Sequence, residues 1–280
     1  MAIRLGAPLF AHFDDPDAWA QAHLAKGYRA AYCPVSLDAP DDTVQAFAQA
    51  AQRHDLVISE VGAWSNPLSP DEATAKAALE KCIAALDLAE RIGANCAVNI
   101  SGGCGEQWDG PHPNNLTFET FGRIVEQSRH IIDAVNPKNA FWTLEAMPWM
   151  YPTGPDEYLS LIRAIDRPQF GVHLDPVNMV NSPIRYARNA DFIRECFALL
   201  GRWIKNCHAK DIYLSPKLTT HLDEVIPGRG GLDYGVFLQE LEKLGNTRVA
   251  LMLEHLKTEE EYEEAADYVR RVAVKENIMC

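Results

Sequence analysis

The chain has 280 residues, of which 47% are apolar and 23% charged, as is ordinary for a soluble globular protein. Its net charge of −13 argues against a surface that binds nucleic-acid phosphates without regard to sequence. No run approaches the roughly 20 apolar residues of a membrane span, and MAIRLGAPLF lacks the features of a signal peptide. Seven scattered cysteines without a CxxC pair are typical of reduced thiols, so we expect a cytoplasmic protein with no membrane partner.

Strand-like apolar runs alternate with helical stretches along the chain. Helices are predicted over 71–92, from apolar residues at three- and four-residue spacing, and over 117–135 and 258–274, which a threonine and acidic residues open. Strands are predicted at 4–9, 29–34, 56–62, 95–100, 141–145, 170–175, 203–208 and 248–254. Eight βα units without a linker predict a single-domain (β/α)₈ TIM barrel over 1–280. An open doubly wound sheet is the alternative, but no strand precedes a G-x-G-x-x-G turn.

The last four predicted strands each end in a side chain that can bind a divalent ion. These residues are Glu145 in FWTLEAMP, Asp175 in FGVHLDPVN, His208 in WIKNCHAKD and Glu254 in ALMLEHL. Taken singly, each could be a capping or ion-paired residue, but the carboxyl ends of barrel strands converge on one active site. Three carboxylates and an imidazole suit a hard or borderline ion, so we expect a site for Mn²⁺, with Mg²⁺, Co²⁺ or Zn²⁺ as alternatives.

Strand alternation places two further polar residues beneath these ligands. Residues two apart on a strand point to the same side, so His173 lies below Asp175 and Asn206 below His208. We expect His173 and Asn206 to orient the ligands by hydrogen bonds. A hydrogen-bonded core histidine is an equally open interpretation of His173.

A long loop follows the fourth predicted strand, SGGCGEQWDGPHPNN over 101–115. It is rich in Gly and Pro but lacks the order of a phosphate-binding loop. A shaped sugar pocket or lid is favoured, with Trp108 and Trp64 as platforms on which a sugar ring stacks. Ordinary loop packing is the alternative.

The stretch 209–233, after the seventh predicted strand, is also long and polar. It contains Lys210, His221 and Arg229 and emerges directly beside His208. We interpret it as a lid over a metal-bound substrate, and a flexible surface insertion is the alternative.

The motifs LEAMP, HLDPVN, HAKD, PGRGGLDY and LEHL together resemble those of the sugar isomerase/epimerase superfamily with a xylose-isomerase-like TIM barrel. The resemblance extends over essentially the full length. It implies that Glu145, Asp175, His208 and Glu254 form the metal shell. It also implies that Glu145 and Glu254 act as the acid/base pair.

The substrate-holding positions depart from those of the similar ketose 3-epimerases. Tyr151 stands where they carry a second glutamate, Asn178 where they carry a histidine, and Leu214 where they carry an arginine. The metal shell is therefore kept while the substrate contacts have changed. The residues predicted to bind substrate are Trp108, Tyr151, Asn178, Lys210, His221 and Arg229.

These observations predict an isomerase or epimerase that removes a proton next to the carbonyl of a small carbohydrate, through an enediolate. Loss of a β-substituent from the same intermediate would make it a lyase: a sugar or inosose dehydratase, or the catalytic subunit of a C-glycoside deglycosidase that acts on 3-oxo-glycosides with a small partner subunit. His112 is a further candidate catalytic residue for such an elimination. A binding protein without activity is a third possibility. A homo-oligomer is expected from base rates alone.

Overall fold

A closed barrel of eight parallel strands organises residues 2–280, the part of the chain that the computed structural model describes. The barrel strands are β1 (Arg4–Gly6), β2 (Ala30–Tyr32), β3 (Val57–Gly62), β4 (Cys96–Asn99), β5 (Phe141–Glu145), β6 (Phe170–Leu174), β7 (Ile204–Ala209) and β10 (Ala250–Leu253). Around the barrel they follow the order β1-β10-β7-β6-β5-β4-β3-β2. The predicted TIM barrel is confirmed, with each strand overlapping its predicted run.

Helices surround the barrel and supply the outer layer. They are α1 (Pro16–Ala25), α2 (Asp41–Arg53), α3 (Glu72–Ile92), α4 (Phe118–Val135), α5 (Pro155–Ile165), α6 (Pro176–Met179), α7 (Pro183–Ala187), α8 (Asn189–Leu200), α9 (Tyr234–Lys243) and α10 (Glu259–Lys275), with 3₁₀ turns at Pro113–Leu116 and Gly201–Trp203. The side chains of Asp71, Thr117 and Thr258 cap α3, α4 and α10 by accepting a backbone N–H from the first turn. Over residues 2–280, none of these helices has the length and apolar character that crossing a bilayer requires.

The stretch after β7 forms an antiparallel hairpin of β8 (Asp211–Ser215) and β9 (His221–Val225). Asp211 ties the base of this hairpin to the following turn, because its carboxylate accepts the backbone N–H groups of Gly228, Gly230 and Leu232. A Cβ at Gly230 would lie 2.3 Å from Asp211 Oδ1, so only glycine fits there. The HAKD and PGRGGLDY motifs are therefore two halves of one structural unit.

The interior of the barrel is polar toward the carboxyl ends of its strands, although the layers between strands and helices are apolar. Glu60, His173, Asn206 and His208 are all buried there. Buried polar groups need hydrogen-bond partners, and a buried charge needs a counter-charge. The arrangement of these groups therefore determines the candidate site.

Candidate metal centre

The carboxyl ends of β5, β6, β7 and β10 bring together the four side chains that the sequence predicts as metal ligands. One donor atom from each lies within 4.8 Å of the others. His208 Nδ1 is 3.1 Å from Glu145 Oε1 and 2.9 Å from Glu254 Oε1. We call this group the carboxylate floor; its members are Glu145, Asp175, His208 and Glu254.

The floor retains the lone pairs that a divalent ion needs. Asp175 Oδ2 and Glu254 Oε1 are buried and accept no well-aligned hydrogen bond. Their close contacts are with Lys210 and, for Glu254, with His208. Three carboxylates and one imidazole nitrogen match the ligand preference of Mn²⁺ or Mg²⁺. The donor set therefore fits a divalent ion, which these four residues would hold.

Lys210 lies against the floor. Its Nζ is 2.7 Å from Glu254 Oε1 and 2.9 Å from Asp175 Oδ2. Burial disfavours its ammonium form, but the neighbouring carboxylates, Asp175 foremost, outweigh burial and raise the pKa of Lys210 well above its ordinary value. The predicted substrate-binding lysine is thus part of the charged centre itself.

The structure adds Glu60, which the sequence analysis missed. Glu60 lies on β3 with Oε2 2.6 Å from His173 Nε2, and the Asn206 amide also donates to it. The same oxygen is 3.4 Å from His208 Nε2, on the opposite side of that ring from Glu145. Burial alone would raise the pKa of Glu60, but His173 and His208 hold it at about 2.

His173 and Asn206 therefore hydrogen-bond to Glu60, whose Oε2 faces His208 Nε2, and the His173 ring also packs edge-on against the His208 ring with centroids 4.1 Å apart. A carboxylate behind a ligating imidazole fixes the ring and its tautomer. The signal in the sequence was a lone acid inside the apolar run LVISEVG. It was missed because inward-facing residues were sought only on strands that end in a candidate ligand, and β3 does not.

Burial and charge shift the pKa values of the two floor glutamates in opposite directions. Burial and the charge of Glu254 raise the pKa of Glu145. His208 and Lys210 lower the pKa of Glu254 in spite of its burial. The difference follows from geometry, because Lys210 and His208 both lie closer to Glu254 Oε1 than to Glu145 Oε1.

A cavity of about 400 Å³ opens above the floor. Four of its lining residues are aromatic, and we call Tyr32, Trp64, Trp108 and Tyr262 the aromatic wall. The remaining lining residues are Glu60, Ile100, Asp109, Glu145, Met147, Asn178, Glu254 and His255. The fold makes room for the wall at Gly62, where a Cβ would lie 2.3 Å from Trp64 Nε1. Carboxylates and aromatic rings on which a ligand can stack thus line the same cavity.

The loop over 101–115 is held in place by its own hydrogen bonds. The buried Asn115 side chain accepts the N–H of Cys104 and donates to the carbonyl oxygens of Gly110 and Trp149. Trp149 Nε1 in turn donates to Asp109 O at 2.7 Å. These bonds present Trp108 and Asp109 to the cavity, which supports a shaped pocket rather than phosphate binding.

Asn178 and His255 connect the floor to the cavity mouth. The Asn178 amide donates to Glu145 Oε1 at 3.1 Å and accepts from Lys210 Nζ at 3.2 Å. His255 follows Glu254 with a left-handed backbone (φ 59°), and its Nδ1 is 3.1 Å from Glu224 Oε1 on β9. The sequence analysis did not single out His255, although its position next to a ligand was a signal.

His112 and Tyr151 do not line the cavity, in contrast to their predicted roles. His112 Nδ1 accepts the N–H of Asn114 and caps the 3₁₀ turn that begins at Pro113. Tyr151 stacks edge-on against Phe121, with ring centroids 5.5 Å apart. The structure thus places His112 at a cap and Tyr151 in loop packing, because their loops turn both side chains away from the floor.

Arg229 and His221 also lie elsewhere. Arg229 forms a two-pronged ion pair with Glu264 on α10, at 2.6 and 2.9 Å. His221 is exposed at the start of β9, opposite Ser215 in the hairpin. The hairpin reaches the site through Glu224 instead, whose Oε2 is 3.7 Å from Lys210 Nζ. Neither predicted substrate contact faces the cavity, because the turn tied to Asp211 directs Arg229 outward.

Solved structures share this fold over nearly the whole chain. D-psicose 3-epimerase from Clostridium cellulolyticum, in a structure with D-tagatose, superposes with a TM-score of 0.68 at 14% identity, covering 99% of this chain and 100% of that one. Endonuclease IV from Thermus thermophilus gives 0.73 at 15% identity, covering 97% and 99%. A xylose isomerase-like TIM barrel protein from Mycobacterium smegmatis, in complex with magnesium, gives 0.67 at 17% identity, covering 98% and 97%.

These similarities establish the fold. The proteins that share it include a sugar epimerase and an endonuclease. No curated protein sequence matches the chain. The family model described as xylose isomerase-like TIM barrel matches residues 20–272. The chain therefore belongs to the xylose isomerase-like TIM barrel family.

Proposed function

We propose that this protein is a divalent-metal-dependent sugar isomerase or epimerase. The observation that carries the proposal is the convergence of Glu145 and Glu254 on His208 Nδ1 beneath a cavity with an aromatic wall. A sugar epimerase and a magnesium-bound protein among the structural neighbours support it. Manganese is the ion that we propose, with magnesium, cobalt or zinc as alternatives.

The floor supplies the groups for proton transfer next to a carbonyl. When bound, a divalent ion would polarise the carbonyl and so acidify the adjacent C–H bond. Glu145 and Glu254 serve as the acid–base pair: one of them removes the proton to give an enediolate, and the other returns one. Return to the opposite face of the same carbon epimerises the sugar, whereas return at the neighbouring carbon isomerises it.

The cavity favours a neutral carbohydrate. No arginine or lysine is among its lining residues, while Glu60, Asp109, Glu145 and Glu254 are. The floor acids have Lys210 and the proposed ion as counter-charges, but a phosphate group or a DNA backbone at the wall would meet no lysine or arginine. A sugar ring could instead stack on Trp64 or Trp108 while its hydroxyl groups face the floor.

Elimination from a 3-oxo-glycoside is the second candidate, because the aromatic wall would also accommodate an aglycone. The enediolate would then expel the β-substituent rather than receive a proton. His255 lines the cavity and could protonate the leaving group, whereas His112 does not line it.

Proton exchange in D₂O tests the proposal. The chain, supplied with Mn²⁺, is incubated with ketoses, inososes and 3-oxo-glycosides, and the products are followed by NMR. Deuterium at a carbon next to the carbonyl, with the skeleton retained, is the expected result. Release of water or an aglycone would support the lyase instead. An absence of exchange across the panel, with metal bound, would contradict both.

A further inference from the structure

A lysine ammonium group occupies part of the carboxylate floor. Lys210 Nζ contacts Glu254 Oε1 at 2.7 Å and Asp175 Oδ2 at 2.9 Å, and lies 3.6 Å from Glu145 Oε1. The first two are the buried oxygens that accept no well-aligned hydrogen bond. The lone pairs that a divalent ion would use are thus the ones that face this ammonium group.

The lysine is held in this position from both ends. Its carbonyl oxygen accepts the Tyr234 hydroxyl at 2.8 Å, and the next residue is Asp211, which anchors the hairpin base and the glycine turn. Its Nζ also donates to Asn178 Oδ1 at 3.2 Å, and only 2% of the residue is exposed. Lys210 is therefore a built component of the centre rather than a surface side chain that reaches into it.

Charge explains why a cation is needed there. The carboxylates of Glu145, Asp175 and Glu254 lie within 4.8 Å of one another in the barrel interior. Like charges so close together destabilise a buried site unless a cation offsets them. A lysine and a divalent ion can each do so, but they repel each other strongly at short range where water does not screen them.

We propose that Lys210 is a tethered cation that competes with the divalent ion for the carboxylate floor. The proposal rests on the metal centre put forward under Proposed function. The ion must displace the ammonium group from two ligand oxygens or share them with it, so the lysine weakens ion binding. Before an ion binds, the same contacts offset the negative charge of the three buried carboxylates, which would otherwise destabilise the folded protein. The centre thereby exchanges its metal more readily than its ligand set alone would allow.

The test replaces Lys210 by methionine, which keeps most of the length and removes the charge. The full chain is stripped with a chelator, and its Kd for Mn²⁺ is measured by calorimetry. Lys243→Met is the matched control, because Lys243 on α9 also pairs with a glutamate (Glu240, 2.6 Å) but is exposed. We expect Lys210→Met to bind Mn²⁺ about tenfold more tightly or better, and Lys243→Met to match the parent chain. Added Mn²⁺ should also raise the Tm of Lys210→Met more than that of the parent.

The outcomes distinguish a failure of the proposed competition from a failure of the proposed metal centre. An unchanged or weaker Kd in Lys210→Met would overturn the competition while leaving the centre standing. An absence of Mn²⁺ binding by both proteins would overturn the competition and the proposed centre together. If stripped Lys210→Met does not stay folded, the release of Mn²⁺ from the reconstituted protein to a chelator decides. Slower release than from the parent supports the competition, and equal or faster release contradicts it.

Discussion

The carboxylate floor and the aromatic wall meet in one cavity but are built in different ways. The floor comes from strand ends, is buried, and is positioned by ion pairs such as that of His208 with Glu145. Part of the wall comes from loops, and Trp64 at its edge is 36% exposed. Under the proposed function, the barrel would fix the chemistry, and the loops would select the substrate. Changes in the floor should abolish reaction, and changes in the wall should alter recognition.

The largest effect is expected from Glu254→Gln or Glu145→Gln. Each change removes a metal ligand and one partner of the proton transfer, so we expect turnover to fall by about 10²- to 10⁴-fold or more. Folding should persist, because the strands pair through their backbones. Glu264→Gln on α10, whose partner is the exposed Arg229, is the control and should keep full activity. Full activity in both floor variants, with circular dichroism unchanged, would contradict the proposed mechanism.

The floor could be predicted from the sequence because it follows from strand period and barrel geometry. Glu145, Asp175, His208 and Glu254 stand at or close to the ends of apolar runs, and a barrel leaves such residues one place to meet. The same step of two residues that located His173 and Asn206 would have found Glu60 if it had been applied to β3. The sequence therefore contained enough information to predict Glu60, which lies on a strand without a candidate ligand.

The loops could not be predicted in the same way, because no period relates a loop residue to the strand before it. His112 and Trp108 are four residues apart in one loop, yet only Trp108 lines the cavity. Hydrogen bonds of Asn115 and Trp149, which depend on the folded backbone, make that difference. Arg229 was misplaced for a similar reason, since Asp211 fixes the turn that carries it.

An intermediate effect is expected from Glu60→Gln, which alters the support of the floor without removing a ligand. Loss of the carboxylate behind His208 Nε2 should weaken Mn²⁺ binding by about 10- to 100-fold. Activity at saturating Mn²⁺ should recover much of its value, since the four ligands remain. Calorimetry with Mn²⁺ measures the first effect, and a metal titration of the rate measures the second. An unchanged Kd would show that Glu60 serves only the packing of His173 and Asn206.

The smallest effect is expected at the wall, from Trp108→Ala. Truncation removes the surface on which the sugar would stack, so KM should rise by about tenfold, which corresponds to about 1.4 kcal/mol. The kcat should stay near its original value, because within residues 2–280 no hydrogen bond or ion pair joins the Trp108 side chain to the floor. Phe118→Ala is the control, since Phe118 is 89% exposed at the start of α4 and outside the cavity. Steady-state kinetics on the substrate identified by proton exchange separates the two constants. A fall in kcat with KM unchanged would mean that the loop takes part in the reaction, and the division between floor and wall would fail.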